Sequence, residues 1–331
     1  MPNKQNQTVR QHYLPQAAYL NRFTSTPELK EKLRIYRYDK LSKDSKELPI
    51  KEVAREKNLY AYETHIDKNK KKIRSQLAEN VYKDKIEPLL KETIDDIINF
   101  VESVSYFKGG ITGNCSFSEE TLSDELKEKI VTSIAFQFFR TPSIKKSHEA
   151  NAKKISDAME SWTKAFNLPL AEEAEIMKDH YKKVTSDKEY STFWFNQTLF
   201  NKEIPNLCNA LFGFYMWNII VLDKVQLVTS DIPIIITKRI PELTGGYFGD
   251  YSSEIIYPVT PNICIQAKEP TYFEKYKEMN GHVIKLNEEE SKVFVQKNNI
   301  LQLLGSDRFA FSAIDNFSEI LNENERTQSN T

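Results

Sequence analysis

The sequence predicts an α+β fold: a mixed or mainly antiparallel sheet formed by N- and C-terminal strands, with a large helical insertion over residues 68–205. Three observations lead there. Apolar residues recur at helical spacing through the middle of the chain. Residues 216–285 hold consecutive Ile- and Val-rich runs with no helical pattern between them. Two further strand-like pieces, RIYRYD (34–39) and LYAYE (59–63), precede the helices.

In chain order, QAAYLNRF (16–23) is a short helix candidate, followed by the two strand-like pieces. Over 86–104, Ile86, Leu90, Ile94, Ile97, Val101 and Val104 follow a 3.6-residue spacing. Leu122, Leu126, Ile130, Ile134 and Phe138 make a second stripe, and Ile144, Ile155, Met159, Trp162 and Phe166 a third. Thr141 before Pro142, and Asn167 before Leu168-Pro169, mark helix boundaries, because a residue preceding proline avoids the helical region. Three such helices in succession predict a small bundle. MWNIIVL (216–222), Asp223-Lys224 and VQLVTSD (225–231) read as a β-hairpin. PIIIT (233–237), EIIYPVT (254–260) and NICIQAK (262–268) follow as strands, the N-terminal strands joining the same sheet. A helix and a last strand, RFAFSAI (308–314), close one domain over 11–315, with polar tails at 1–10 and 322–331 expected to be disordered.

Composition excludes several classes. The 331 residues include nine glycines, under half the usual share of about 7%. None falls in G-x-G-x-x-G or G-x-x-x-x-G-K-[ST], so the chain has no nicotinamide or flavin signature and no P-loop. A net charge of −1 gives no global basic field of the kind nucleic-acid binders carry. Cys115, Cys208 and Cys264 fit neither a disulfide framework nor a zinc knuckle. No apolar stretch reads as a signal peptide or a membrane span, so the expectation is a cytoplasmic protein with no membrane partner. The basic run KNKKKIR (68–74) reads as a solvated helix face.

Polar residues on apolar stripes are the informative exceptions, because a bare buried charge costs several kcal/mol. Glu87 stands on the buried face of the first helix. Gln137 continues the second stripe, and Arg140 follows at i+3. Either Arg140 salt-bridges Glu87 and pins two helices, or the residues share a polar site. His12 and Gln16 flank Pro15; a histidine there is a packing residue, a metal ligand or a general base. Glu56 precedes a strand as a loop carboxylate or a ligand. In VTSDIP (228–233), Ser230 and Asp231 end an apolar strand, where the carboxylate either caps the turn or faces a ligand at the sheet rim.

From QHYLPQAAYLNRF onward the chain resembles the DUF4238 proteins, a large, functionally uncharacterised microbial family that opens on a His-Tyr-x-Pro-Gln motif. The resemblance continues in order through IYRYDK, VAREKNLY, the Glu of KIEPLL, FQFFRTP, VTSDIP and YPVTP, covering roughly residues 10–310. It implies that the family's characteristic polar residues are His12, Gln16, Glu56, Glu87, Gln137, Arg140, Thr141, Ser230 and Asp231. Ile232 departs from the Asn that the family often carries before the proline.

These positions frame three expectations. The leading one is a hydrolase of phosphodiester or nucleotide bonds, a metal-dependent nuclease in a bacterial defence or toxin system. In it Glu56, Glu87 and Asp231 hold Mg²⁺ or Mn²⁺, His12 is the general base and Arg140 offsets charge on phosphate. Gln16, Gln137, Thr141 and Ser230 bind or orient the nucleic acid or nucleotide substrate. The second is a non-catalytic sensor or a binder of an operon-encoded protein partner, its polar network purely structural. The third is nucleotide binding without turnover.

Overall fold

The computed structural model describes residues 10–28, 32–57, 59, 62–66, 72–75, 80–109, 115–166, 172–238, 248 and 250–329. Strand β1 (Arg10–His12) leads into a one-turn 3₁₀ helix, Leu20–Phe23, within the predicted helical segment. Strands β2 (Arg34–Asp39) and β3 (Asp44–Pro49) form a hairpin, β4 (Arg55–Lys57) pairs back onto β1, and β5 (Tyr62–Ile66) pairs with β6 (Lys72–Ser75). Helix α1 (Glu87–Ser103), strands β7 (Tyr106–Gly109) and β8 (Cys115–Thr121), and helices α2 (Asp124–Phe139) and α3 (Pro142–Phe166) follow. Next come α4 (Glu172–Ser186), α5 (Lys188–Thr198) and α6 (Ile204–Phe214), the last two joined by a π-helical turn, Leu199–Glu203. The remainder is β9 (Met216–Val221), β10 (Thr229–Ser230), β11 (Ile235–Lys238), β12 (Ser253–Thr260), β13 (Ile263–Lys268), β14 (His282–Leu286), α7 (Glu288–Gly305), β15 (Phe309–Ser312) and α8 (Phe317–Ser329).

The strands make two principal sheets, and the fold is α+β as the sequence predicts. The larger has the order β11-β12-β13-β9-β14-β8-β7, antiparallel throughout except for the parallel pair β14–β9. Every residue of β9 and β12 is buried, which explains their near-continuous apolar runs: both faces are covered. Trp217, Ile219 and Val221 point into the main core beside Ile94, Ile134 and Leu211 of the helices. The alternate residue Ile220 packs with Ile256, Cys264 and Val295 of α7 on the opposite face. The smaller sheet, β10-β15-β2-β3, is built from both ends of the chain, and Leu303 of α7 with Phe317 and Ile320 of α8 packs against Tyr38 and Ala310.

Several expectations are corrected. RIYRYD pairs with the last strand, but in the smaller sheet and not beside the Ile/Val-rich strands. The stretch 68–205 is not helical throughout: β7 and β8 form a hairpin at the edge of the larger sheet. Within KNKKKIR, residues 72–74 are strand, and 68–71 lie outside the described residues. The gap between the first two apolar stripes, 105–121, was where that hairpin showed.

The hairpin read over 216–231 does not form either. The chain does turn at Lys224, which has φ 59°. Beyond it, Leu227 N–H donates to Pro261 O at 2.7 Å and Val228 N–H to Asn299 Oδ1 at 2.9 Å. Backbone donors expected to face β9 are thus taken by the β12–β13 turn and by α7, and the segment enters the other sheet as β10. The third apolar stripe is not buried along its length, since Ile155 and Trp162 are exposed. The C-terminal tail is helical to Ser329, anchored by buried Phe317 and Ile320. Of the N-terminal tail, residues 1–9 lie outside the described residues.

Candidate functional site

The HYLPQ segment crosses the junction of the two sheets and the helices. Strand β1 aligns Gln11 with Glu56 and His12 with Arg55 on β4, and Tyr13 N–H continues the pairing to Ala54 O at 3.0 Å. Gln137 Nε2, buried on α2, donates to Tyr13 O at 3.1 Å, and Gln16 Nε2 donates to Ile50 O at 2.8 Å. The two amides tie HYLPQ to its surroundings, Gln137 from α2 and Gln16 to the 3₁₀ turn at Ile50. Tyr19 fastens the next turn to both sheets, its hydroxyl lying 2.7 Å from Thr229 Oγ1 and donating to Pro258 O at 2.8 Å.

Arg140 and Glu87 do join α1 to the end of α2. An Arg140 guanidinium nitrogen lies 2.7 Å from Glu87 Oε1, with Arg140 only 1% exposed. The guanidinium carbon also sits 4.6 Å from the centre of the Tyr82 ring, a cation–π arrangement. His12 lies within the field of this pair. Burial pushes its pKa below the ordinary 6.5, and the charges of Arg140 and Arg55 push the same way, against the Val53 carbonyl and Glu87. Its Nδ1 is buried without a hydrogen-bond partner. Neutral imidazole is the form this environment favours.

Asp231 is committed to the backbone. Oδ1 accepts from Asp307 N–H at 2.8 Å, while Oδ2 accepts from Arg308 at 2.7 Å and Phe309 at 2.8 Å. Burial raises its pKa, and the three N–H donors oppose that rise. Ser230 Oγ lies 2.7 Å from Gln302 Oε1 and donates to Ile232 O at 2.8 Å. Thr141 Oγ1 donates to Phe138 O at 2.9 Å and lies 3.2 Å from Ser143 Oγ at the α2–α3 corner.

These segments enclose a polar cavity of about 230 Å³. Tyr13, Arg55, Glu56 and Asp231 stand in its wall together with Pro142 and Ser143 at the start of α3. Lys146, Asp307 and Arg308 complete its charged lining. Two of the cations have carboxylate partners: Lys146 pairs with Asp307 at 2.8 Å, and Arg308 with Asp39 at 2.7 Å. Arg55 forms no ion pair among the described residues. Glu56 is exposed at the same site.

The chain belongs to the DUF4238 family. The family model, described as a protein of unknown function, matches residues 10–316. No curated protein and no solved structure matches the chain.

Of the nine polar positions that the resemblance singles out, Glu56 and Asp231 line the cavity. His12, Glu87 and Arg140 interact electrostatically beside it, and Gln16, Gln137, Thr141 and Ser230 hold the surrounding backbone. Glu56, Glu87 and Asp231 are not gathered as ligands. Among the described residues no group of three His, Cys, Asp or Glu side chains is placed to hold a metal ion. Sequence reasoning passed over Tyr13, Arg55, Lys146, Asp307 and Arg308. Tyr13 and Arg55 stood next to residues already singled out, in HYLPQ and VAREKN. Lys146 and Asp307 carried no signal, being ordinary charges on exposed positions.

Proposed function

We propose that the polar cavity binds the phosphate-bearing end of a nucleotide or nucleic-acid strand, and that most family-specific polar residues build the cavity and do not enter the chemistry. The observation that carries this reading is Arg55, a cation in the wall with no ion-pair partner among the described residues. It shares the lining with Pro142 and Ser143, where the positive end of the α3 dipole adds to the attraction for an anion. Lys146 and Arg308 supply further N–H donors, while Asp307 and Asp39 offset their charge. Asp231 does not repel an anion strongly, because three backbone N–H groups face its carboxylate.

Titration of the purified chain with ADP and with short single-stranded DNA and RNA tests the reading. Saturable binding is expected, weakening as salt rises because phosphate contacts release counterions. Arg55→Ala is expected to lower affinity about tenfold, the worth of one charge-assisted hydrogen bond. Absence of binding, or equal affinity of the variant, would overturn it.

A second reading, phosphoester hydrolysis with Mg²⁺ or Mn²⁺, draws on His12. A half-buried imidazole held neutral, with a partnerless Nδ1, is suited to accept a proton, and Glu56 is an exposed carboxylate nearby. Turnover of the same substrates with either metal, abolished in His12→Ala at unchanged melting temperature, is its expected signature. Binding without turnover of any substrate would leave the first reading and remove the second.

A further inference from the structure

A second cavity, of about 410 Å³, lies on the other side of α3 and shares no lining residue with the first. Its size falls in the range of small-molecule sites. Ser143 and Lys146 face the polar cavity, whereas Ile144, Ser147 and His148 from the same helix face this one. The rings of Phe138, Phe195 and Phe248 and the side chain of Leu199 make it predominantly aromatic and apolar. Phe138 meets Phe248 edge-on at 4.9 Å between ring centres, and His148 meets Phe195 edge-on at 5.4 Å.

Ser147, His148, Asn151, Thr198 and Glu203 interrupt that lining, and two of them carry a buried polar atom without a partner. His148 Nδ1 on α3 and Thr198 Oγ1 at the end of α5 are both buried without a hydrogen-bond partner. Burying such groups unpaired is costly, and native structures keep few of them without a reason. Thr198 also stands where α5 passes into the π-helical turn Leu199–Glu203, and Leu199 and Glu203 of that turn line the cavity as well. Turns of this kind are frequent at functional sites. Glu203 is the only charged residue in the lining among the described residues, so an anionic ligand would find no counter-charge.

We propose that this cavity binds a neutral, planar heteroaromatic ring, stacked among the phenylalanines and hydrogen-bonded along one edge to His148 and Thr198. Aromatic walls provide the burial and the quadrupole contacts. Burial also pushes the His148 pKa below 6.5, so the imidazole is neutral and offers one donor and one acceptor. The site is independent of the phosphate reading, because Arg55 takes no part in it.

The test uses the full chain and two probes, adenine and naphthalene, followed by ligand-observed NMR titration. Saturable adenine binding is expected. It should be lost in Leu199→Trp, which fills the cavity. It should weaken about fivefold or more in His148→Phe and in Thr198→Val, each of which removes one hydrogen-bonding group while keeping the bulk. Naphthalene affinity should be unchanged by Thr198→Val, and Arg55→Ala should leave adenine binding intact. Thr198→Val keeps nearly the same shape, so it decides the matter even if the other two variants melt early. The proposal is overturned by a lack of saturable adenine binding, by binding that survives Leu199→Trp, or by equal adenine affinity in Thr198→Val.

Discussion

Asp231 shows how one side chain can organise a junction. Its two oxygens collect the N–H groups of Asp307, Arg308 and Phe309 just where the chain enters β15. An Asn there keeps one acceptor oxygen but points an NH₂ at donors, and an Ala leaves all three N–H groups bare. Asp231→Asn is therefore expected to cost about 1–3 kcal/mol and Asp231→Ala more, read as a shift in the urea midpoint at constant slope. A loss under about 0.5 kcal/mol in both would mean that the turn holds without the carboxylate. The position was visible in the sequence as a Ser-Asp pair ending an apolar strand, yet its partners lie 76 to 78 residues away. Helical spacing likewise identified Glu87, Gln137 and Arg140 as polar groups on buried faces, since a 3.6 period is a local property. That Arg140 reaches Glu87, while Gln137 reaches a carbonyl in HYLPQ, depends on which helix packs against which segment.

At the scale of elements, two glycines are expected to respond in opposite directions. Gly281 stands at φ +88°, donates to Trp217 O at 2.7 Å and accepts from Leu122 N–H at 2.8 Å, joining β14 to its neighbours. A Cβ there would lie 3.2 Å from Thr121 Cβ. Gly281→Ala should lower stability by more than about 1 kcal/mol, through both the backbone conformation and the contact. Gly213, in α6, has open space where a Cβ would stand. Gly213→Ala should raise stability by roughly 0.5 kcal/mol, by restricting the unfolded chain. Thermal melts of the two variants check both signs. The first two helices of the middle region were legible because each carries a buried apolar stripe, and α2 and α3 end close to Pro142 and Pro169. Strands were legible as elements but not as partners. Nothing within VQLVTSD says that its donors will meet Pro261 and Asn299 and not β9, because pairing is settled by what else competes for the same N–H groups.

For the whole molecule, three histidines set a pH response. Burial lowers the pKa of His12, His148 and His180 below 6.5. Between 6.5 and those lower values the unfolded chain takes up protons that the folded chain refuses, so the unfolded state gains. The melting temperature is accordingly expected to fall as pH drops from 7 towards 5.5, and the slope should lessen in His148→Phe. A melting temperature that is flat across this range would contradict the direction of all three shifts. The sequence by itself determined the α+β class and the first helices of the middle region, since composition and periodicity are properties of the chain alone, and motif order marked the polar positions that the resemblance implies. Only the tertiary structure decided that the strands divide between two sheets and that Arg55, Lys146 and Arg308 meet Glu56 and Asp231 around one cavity. The division follows from competition among distant backbone donors. The cavity follows from packing segments as far apart as residues 13, 56, 143 and 231, which no local pattern records.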